Sequence, residues 1–260
     1  MTRLDVWLAE AGLSESREKA QALVMAGRVK LDGHPATKPG TRVREGARVE
    51  VDPGPAHVGR GALKLEGALD AFGLDPRGSV AIDVGASTGG FTETLLERGA
   101  LRVYAIDVGR GQLHERLRQD PRVVVRDRTN ARALSPELVP EACSLAVMDV
   151  SFISVTKILG PLRSILGPSA NAVVLVKPQF EVGRRQVGRG GIVRDPELHL
   201  QALADVAAFA QAAGYCVRGA CASPVTGATG NREFFLHLVP GGDPLAADAL
   251  ASVLRKAVSA

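Results

Sequence analysis

Two apolar runs in this chain stop abruptly at a charged residue. Leu145-Ala146-Val147-Met148 gives way to Asp149, and Ala172-Val173-Val174-Leu175-Val176 gives way to Lys177. Uninterrupted runs of this length are what strands buried on both faces look like, and such strands belong to parallel sheets covered by helices. Open sheets of that kind bind ligands just past the carboxyl ends of their strands. The junctions therefore predict where chemistry sits, and Lys64 and Glu233 complete a set of two lysines and two carboxylates. With no His or Cys beside them, the four suit deprotonation of a weakly acidic hydroxyl. They do not suit metal binding or acyl transfer.

The chain has 260 residues, 45% of them hydrophobic, enough for a full core and a small extra module. No apolar stretch approaches the ~20 residues of a membrane helix, and acidic residues interrupt the N-terminus too early for a signal peptide. Cys143, Cys216 and Cys221 are odd in number and lack metal or redox spacing, which argues against a disulfide framework. A soluble, cytoplasmic protein, monomeric when free, is the expectation. Residues 1–60 hold 10 Lys/Arg against 8 Asp/Glu and the rest 22 against 20, so neither part carries a lopsided excess of either sign. Any nucleic-acid binding must come from local patches.

Along the chain, the first fifty residues read as helix, helix, hairpin. Leu4, Leu8 and Ala11 mark one helical face, and Ala20, Leu23 and Val24 a second that Gly27 stops. Asp32-Gly33 is a tight-turn signal, and Ala47–Val51 a further strand. Asp52-Pro53-Gly54-Pro55 is the best boundary, giving a small α+β domain over 1–52, a linker over 53–59 and a second domain over 60–260. The second alternates α and β signals, as a doubly wound sheet with helices on both faces requires. Strands end at Asp83, Asp107, Arg126, Asp149 and Lys177, with helices near Phe91–Arg98, Gln112–Arg118 and Val155–Leu166. A long helix runs from Asp195-Pro196-Glu197 to about Ala213, and two strands near Tyr215–Ala220 and Glu233–Val239 close the sheet.

Asp83-Val84-Gly85-Ala86-Ser87-Thr88-Gly89-Gly90-Phe91 follows a strand and opens a helix. It is not the dinucleotide fingerprint G-x-G-x-x-G, because Ser87 stands in the second glycine's place. A carboxylate at Asp83 would repel a pyrophosphate, whereas a zwitterionic or cationic ligand would suit it. Asp107, ending the next strand, is placed to accept both hydroxyls of a ribose. The combination resembles the S-adenosylmethionine site of Rossmann-like methyltransferases. Asn130 is either near an adenine or a turn-forming Asn.

Residues 60–239 resemble the FtsJ-like RNA 2′-O-methyltransferases. The resemblance is carried by Gly61-Ala62-Leu63-Lys64-Leu65, the Asp83–Phe91 loop, Met148-Asp149-Val150-Ser151-Phe152-Ile153-Ser154, Val176-Lys177-Pro178-Gln179-Phe180-Glu181 and Gly230-Asn231-Arg232-Glu233-Phe234-Phe235. Arg17, Ala20, Leu23, Gly27, Val29 and Asp32-Gly33 resemble an S4 RNA-binding domain. Together, in this order, they resemble the TlyA family of rRNA cytidine-2′-O-methyltransferases, whose members are often labelled hemolysins. One departure is the linker Val51–Gly59, which lacks the Trp-containing segment that some members place there.

The resemblance implies a catalytic tetrad of Lys64, Asp149, Lys177 and Glu233, S-adenosylmethionine as cofactor, and ribosomal RNA or ribosomal subunits as partner. A ribose hydroxyl is a poor nucleophile, and a lysine serves as its base only if desolvation or a second cation lowers its pKa. Lys177 with Lys64 nearby fits that description, with Asp149 and Glu233 orienting the ammonium groups and no metal required. Each residue has a plainer alternative. Lys64 would be a solvated helix residue, Asp149 a cap, and Glu233 a partner of Arg232.

For RNA, the small domain offers Arg3, Arg17, Lys19, Arg28 and Lys30, and the loop Gly183–Gly191 offers Arg184, Arg185 and Arg189. The loop reads as a mobile arm closing on phosphates, or as a plain surface loop. A membrane-active protein, a dehydrogenase and a non-catalytic RNA-binding module are the rival functions.

Overall fold

The computed structural model describes residues 1–14, 16–52 and 57–260, and the chain forms two compact units, Met1–Ala56 and His57–Ala260. The expected boundary at Pro53–Pro55 lies outside the described residues.

In the small unit, β1 (Thr2–Arg3) leads into α1 (Leu4–Glu10), and α2 (Arg17–Met25) follows. Ser16 caps α2, its hydroxyl accepting from the Lys19 amide at 3.2 Å. A three-stranded antiparallel sheet orders β3 (His34–Pro35), β2 (Val29–Leu31) and β5 (Val49–Val51), while β4 (Arg42–Val43) pairs with β1. Asp32 and Gly33 both have positive φ, 50° and 78°, as the two-residue hairpin turn demands. Leu4, Leu8, Ala20, Val24, Val29, Ala36 and Val43 form the core. The β1–β4 pair, only two residues per strand, is too short to show a period in sequence.

The large unit begins with α3 (Gly61–Phe72) and continues with β6 (Val80–Val84), α4 (Gly90–Glu97), β7 (Arg102–Ile106), α5 (Glu115–Arg118) and β8 (Val123–Arg126). After these come β9 (Cys143–Met148), α6 (Thr156–Arg163), β10 (Leu166–Val176), α7 (Pro178–Glu181), α8 (Pro196–Ala212), β11 (Tyr215–Ala222), β12 (Phe234–Pro240) and α9 (Ala247–Ser259). Seven strands form one sheet in the order β11-β12-β10-β9-β6-β7-β8, with β12 antiparallel to both neighbours. One apolar cluster includes Met148, Leu159, Val174, Leu203 and Phe234; a second, with Leu65, Leu95, Val147, Leu175 and Phe235, takes the alternate residues of the same strands. That alternation is the period-two signature of a sheet covered on both faces.

Two expectations need correction. The helix expected over Val155–Leu166 stops at Arg163, and Leu166 already pairs with Cys143. Gly167 and Pro168 disfavour helix there. The helix expected from Gln112 shrinks to α5, because Gly111 has a φ of 65° and the backbone before Glu115 is bent and irregular. The two strands expected to close the sheet are β11 and β12, and α9, which sequence reasoning missed, follows them and buries only Leu254, Ala257 and Val258.

Candidate active site

The strands are laid down outward from β6 to β8 on one side and from β9 onward on the other, so the order reverses between β6 and β9. The crevice beyond the carboxyl ends of those two strands is where such folds take ligands. A cleft of about 510 Å³ lies there, lined among others by Gly85, Ser87, Asp107, Asn130, Asp149 and Ser151. Asp107 follows β7 directly, and its carboxylate is held on both oxygens. The Ser87 amide donates to Oδ2 at 2.8 Å and the Gly109 amide to Oδ1 at 2.7 Å. Ser87 reaches this position with a φ of 49°, a strained conformation for a residue with a Cβ.

Asp83, inside β6, is fully buried. Thr92 Oγ1 donates to its Oδ2 at 2.7 Å, while Oδ1 has no hydrogen-bond partner. Burial pushes its carboxyl up to about 7, with the Thr92 bond opposing and the charges of Asp149 and Asp107 reinforcing the rise.

The four charged residues assemble as two ion pairs. Asp149 follows β9, and its Oδ1 lies 2.5 Å from Lys177 Nζ. The β9–β10 register, which pairs Met148 with Val174, carries Ser151 alongside Lys177, and Lys177 Nζ donates to Ser151 Oγ at 2.8 Å. The antiparallel register that pairs Val176 with Phe234 brings Glu233 alongside Lys177 on the next strand. Glu233 Oε2 then accepts from Lys64 Nζ at 2.5 Å. Lys64 is only 8% exposed, so the solvated-helix alternative for it fails. Arg232 does not pair with Glu233. It donates to the Val258 carbonyl at 2.9 Å and stacks over Phe234.

The second half of the glycine-rich segment does not reach the cleft. A Cβ at Gly89 would run into Leu117 and Leu113, and one at Gly90 would come within 2.8 Å of the Ala62 amide nitrogen. Phe91 is buried in the core, 6.2 Å from Phe235. Thr88 faces Gly59. Asn130 lines the cleft, and its Oδ1 accepts from the Arg132 amide at 3.1 Å, the local bond expected of a turn-forming Asn.

Sequence reasoning missed Ser151 and Phe152, although both stand in the motif that supplied Asp149. Phe152 lines the cleft, is 91% exposed, has a φ of 65° and lies 5.2 Å from the Phe180 ring. Glu181 was also missed. It accepts from Ser154 Oγ at 2.6 Å and from the Val155 amide at 3.0 Å, tying the two motifs together, and burial raises its pKa.

The arginines of the 183–191 loop are all exposed. The loop has two short 3₁₀ turns, Arg184–Gln186 and Arg189–Gly191, and is anchored at its far end. Buried Asn231 donates to the Gly191 carbonyl and accepts from the Val193 amide, each at 2.9 Å, while His199 bonds the Val193 carbonyl at 2.9 Å. In the small unit, Lys19 and Lys30 are exposed, Arg28 donates to the Asp52 carbonyl at 3.0 Å, and Arg3 and Arg17 converge on buried Asp5. Among the described residues, His57, Glu66 and Glu97 have ligand atoms close enough to share a cation, and none of them lines the cleft.

Fold and site together define a methyltransferase-type domain preceded by an S4-type unit. The FtsJ-like methyltransferase family model matches residues 57–239, and the S4 domain model matches residues 2–49. The 16S/23S rRNA (cytidine-2′-O)-methyltransferase TlyA of Mycobacterium tuberculosis is 48% identical over 99% of this chain and 97% of its own length. Hemolysin A of Brachyspira hyodysenteriae is 39% identical over 91% and 99%. A solved structure from Streptococcus thermophilus, also named as a hemolysin, is 42% identical, covers 99% of this chain and 95% of its own, and superposes with a TM-score of 0.74. The chain belongs to the TlyA family, an S4 domain followed by an FtsJ-like methyltransferase.

Proposed function

We propose that the protein transfers a methyl group from S-adenosylmethionine to the ribose 2′-hydroxyl of cytidine in ribosomal RNA. The observation that carries this reading is the Lys177–Asp149–Ser151 cluster at the edge of the ligand cleft. The residues suit the cofactor. Asp107, fixed by two backbone amides, is presented as a ribose acceptor, and the unpartnered Oδ1 of Asp83 is a buried acceptor near the glycine turn. When bound, S-adenosylmethionine supplies an electrophilic methyl group on a sulfonium.

The remaining work falls to this chain. Lys177, after giving up one proton to solvent, takes the proton of the 2′-hydroxyl on its neutral Nζ, and Asp149 balances the ammonium that results, the charge state of the ion pair in the structure. Ser151 restricts the direction in which the remaining Nζ valence points. Lys64, held by Glu233, is the second cation that steadies the oxygen as charge develops. Positioning of this kind supplies much of the rate in transfers between preassembled groups. Phe152, exposed at the rim, offers a face on which a base can stack.

The S4 unit and the basic loop supply phosphate contacts, which place the RNA without reading its sequence. The reading places the protein in the cytoplasm as a monomer acting on ribosomal RNA or ribosomal subunits. A membrane-active function, suggested by the relatives named hemolysins, leaves both ion pairs without a role. Among the described residues no helix is long and apolar enough to cross a membrane.

The test incubates purified protein, methyl-labelled S-adenosylmethionine and ribosomal subunits from cells lacking the gene, then maps ribose methylation by nucleotide. Label on a cytidine 2′-oxygen supports the reading; label on a base or on protein overturns it.

A further inference from the structure

Asp5 is 0% exposed inside a small unit whose core is otherwise aliphatic. An isolated carboxylate there would be too costly to keep, so its partners carry its charge. Two arginines from different elements converge on it. Arg3, on β1, donates through Nε to Oδ1 and through Nη2 to Oδ2, both at 3.0 Å. Arg17, first in α2, donates through Nε to Oδ2 at 3.1 Å. Gln21 Nε2 reaches the same Oδ2 at 2.8 Å, and the Val6 amide reaches Oδ1 at 3.1 Å. The Arg3 guanidinium, helped by Gln21 and Arg17 against the effect of burial, holds the Asp5 carboxyl far below the usual carboxylate range.

Both arginine side chains remain about half exposed, 44% and 53%. A guanidinium carries more N–H donors than either arginine uses on Asp5, and neither side chain is buried. Two cations against one anion leave the cluster net positive. We infer that Asp5 is a positioning residue that fixes Arg3 and Arg17 as a paired guanidinium grip for the phosphodiester backbone of RNA. The inference rests on the RNA-binding reading of the S4 unit.

The physical reason is preorganisation. A free arginine loses its rotamer freedom when it binds a phosphate, at a cost in affinity for each side chain immobilised. Asp5 imposes that order during folding instead. A purely structural carboxylate would need no second half-exposed arginine, since Gln21, the Val6 amide and one guanidinium already satisfy both oxygens. Charge counting and preorganisation then make opposite predictions for Asp5→Asn. The variant gains one positive charge, so charge alone predicts tighter RNA binding, whereas loss of the anchor predicts weaker binding.

The experiment measures binding of the full-length chain to purified ribosomal RNA across a salt series. It compares the natural protein with Asp5→Asn, with Arg3→Lys/Arg17→Lys and with Arg3→Ala/Arg17→Ala. The chain's single tryptophan, Trp7, packs against the small unit's core, so its fluorescence reports whether that unit stays folded. Asp5→Asn should bind about tenfold more weakly despite its added charge. The lysine pair, with charge unchanged, should weaken binding similarly, because lysine lacks the planar fork that grips one carboxylate and presents further donors. In methyl-transfer kinetics both should raise KM for RNA and leave kcat unchanged. The alanine pair should flatten the plot of log affinity against log salt by about one unit for each phosphate that the side chains no longer neutralise.

Asp5→Asn binding as tightly as the natural protein, or more tightly, with Trp7 reporting a folded unit, overturns the role of Asp5. So does a lysine pair that binds normally, and this arm decides the matter if Asp5→Asn fails to fold. Unchanged affinity and salt slope in the alanine pair would instead remove these arginines from the RNA surface altogether.

Discussion

Replacing Glu233 with alanine asks whether the Lys64–Glu233 pair is buried in energy as well as in geometry. The two residues are 8% and 4% exposed, and their charged atoms lie 2.5 Å apart. Truncating the carboxylate leaves an ammonium shut away from water. Breaking a buried pair in this way costs about 3–5 kcal/mol, whereas a surface pair contributes about 0–1 kcal/mol. A unit of this size loses about 2–4 °C per kcal/mol, so its thermal midpoint should fall by roughly 6–20 °C. Removing both charges, as in Lys64→Met/Glu233→Leu, leaves no orphan and should restore most of that stability. Methyl transfer should be absent from both variants, which separates the pair's catalytic role from its structural one. Far-UV circular dichroism follows the whole chain, and Trp7 fluorescence identifies the small unit's transition, so the other is assigned to the large unit. A loss below about 1 kcal/mol for Glu233→Ala would show a solvated pair and refute the argument from burial. A double variant as unstable as the single one would refute the orphan-charge explanation.

Lys177→Ala should abolish methyl transfer with cofactor affinity nearly unchanged; a single-turnover rate close to the natural one would remove Lys177 as base. Asp107→Ala should weaken S-adenosylmethionine binding by about 1–3 kcal/mol, because the ribose loses a charged acceptor that the Ser87 and Gly109 amides hold in place; calorimetry showing equal affinity would exclude Asp107 from the site. Asp83, pushed up to about 7, keeps in the folded chain a proton that the unfolded chain releases near pH 4, so stability falls as pH rises between those values. Asp83→Asn should therefore match the natural protein near pH 4 and exceed it in stability above pH 7, and parallel pH–stability curves would contradict the assignment. Phe152→Ala should leave stability within about 0.5 kcal/mol, since the ring is exposed. It should also weaken RNA binding by about 1–3 kcal/mol if a base stacks there, and unchanged binding would exclude stacking.

The sheet was legible because its central strands are buried on both faces and announce themselves as unbroken apolar runs. Asp107, Asp149 and Lys177 follow such runs directly, so their place at the carboxyl edge could be read from the sequence alone. Which partner each would choose could not. Lys64 and Glu233 are 169 positions apart, and only the β10–β12 register and the packing of α3 bring them together. Ser151 and Glu181 were invisible for the same reason: each acts through a neighbour on another strand or loop. Arg3 and Arg17 were read correctly as basic and exposed, but their common anchor at Asp5 needed two helices and a strand to be in place. The loop beyond Glu181 looked mobile because it is rich in glycine and arginine. Asn231 and His199, 38 and 6 positions from Val193, fix its far end.

The glycine-rich segment shows how one stretch serves both halves of the proposed reaction. Its first part lines the cleft proposed for the cofactor. Gly85, at a φ of 88°, lets the turn pass against the Asp149 carbonyl, where a Cβ would collide, and Ser87 then offers its amide to Asp107. Its second part does not line the cleft. Gly90 lets α4 approach the start of α3 so closely that a Cβ would lie 3.1 Å from the Gly61 Cα. Lys64 stands one turn further along α3, and its ammonium must meet Glu233 within a space from which water is largely excluded. A side chain at Gly90 would displace α3 and with it Lys64, while leaving the Ser87–Asp107 hydrogen bond on the other side of the turn. The spacing of glycines that first suggested a ligand loop is thus also the packing requirement that delivers Lys64 to its buried pair with Glu233, the proposed hydroxyl end of the site.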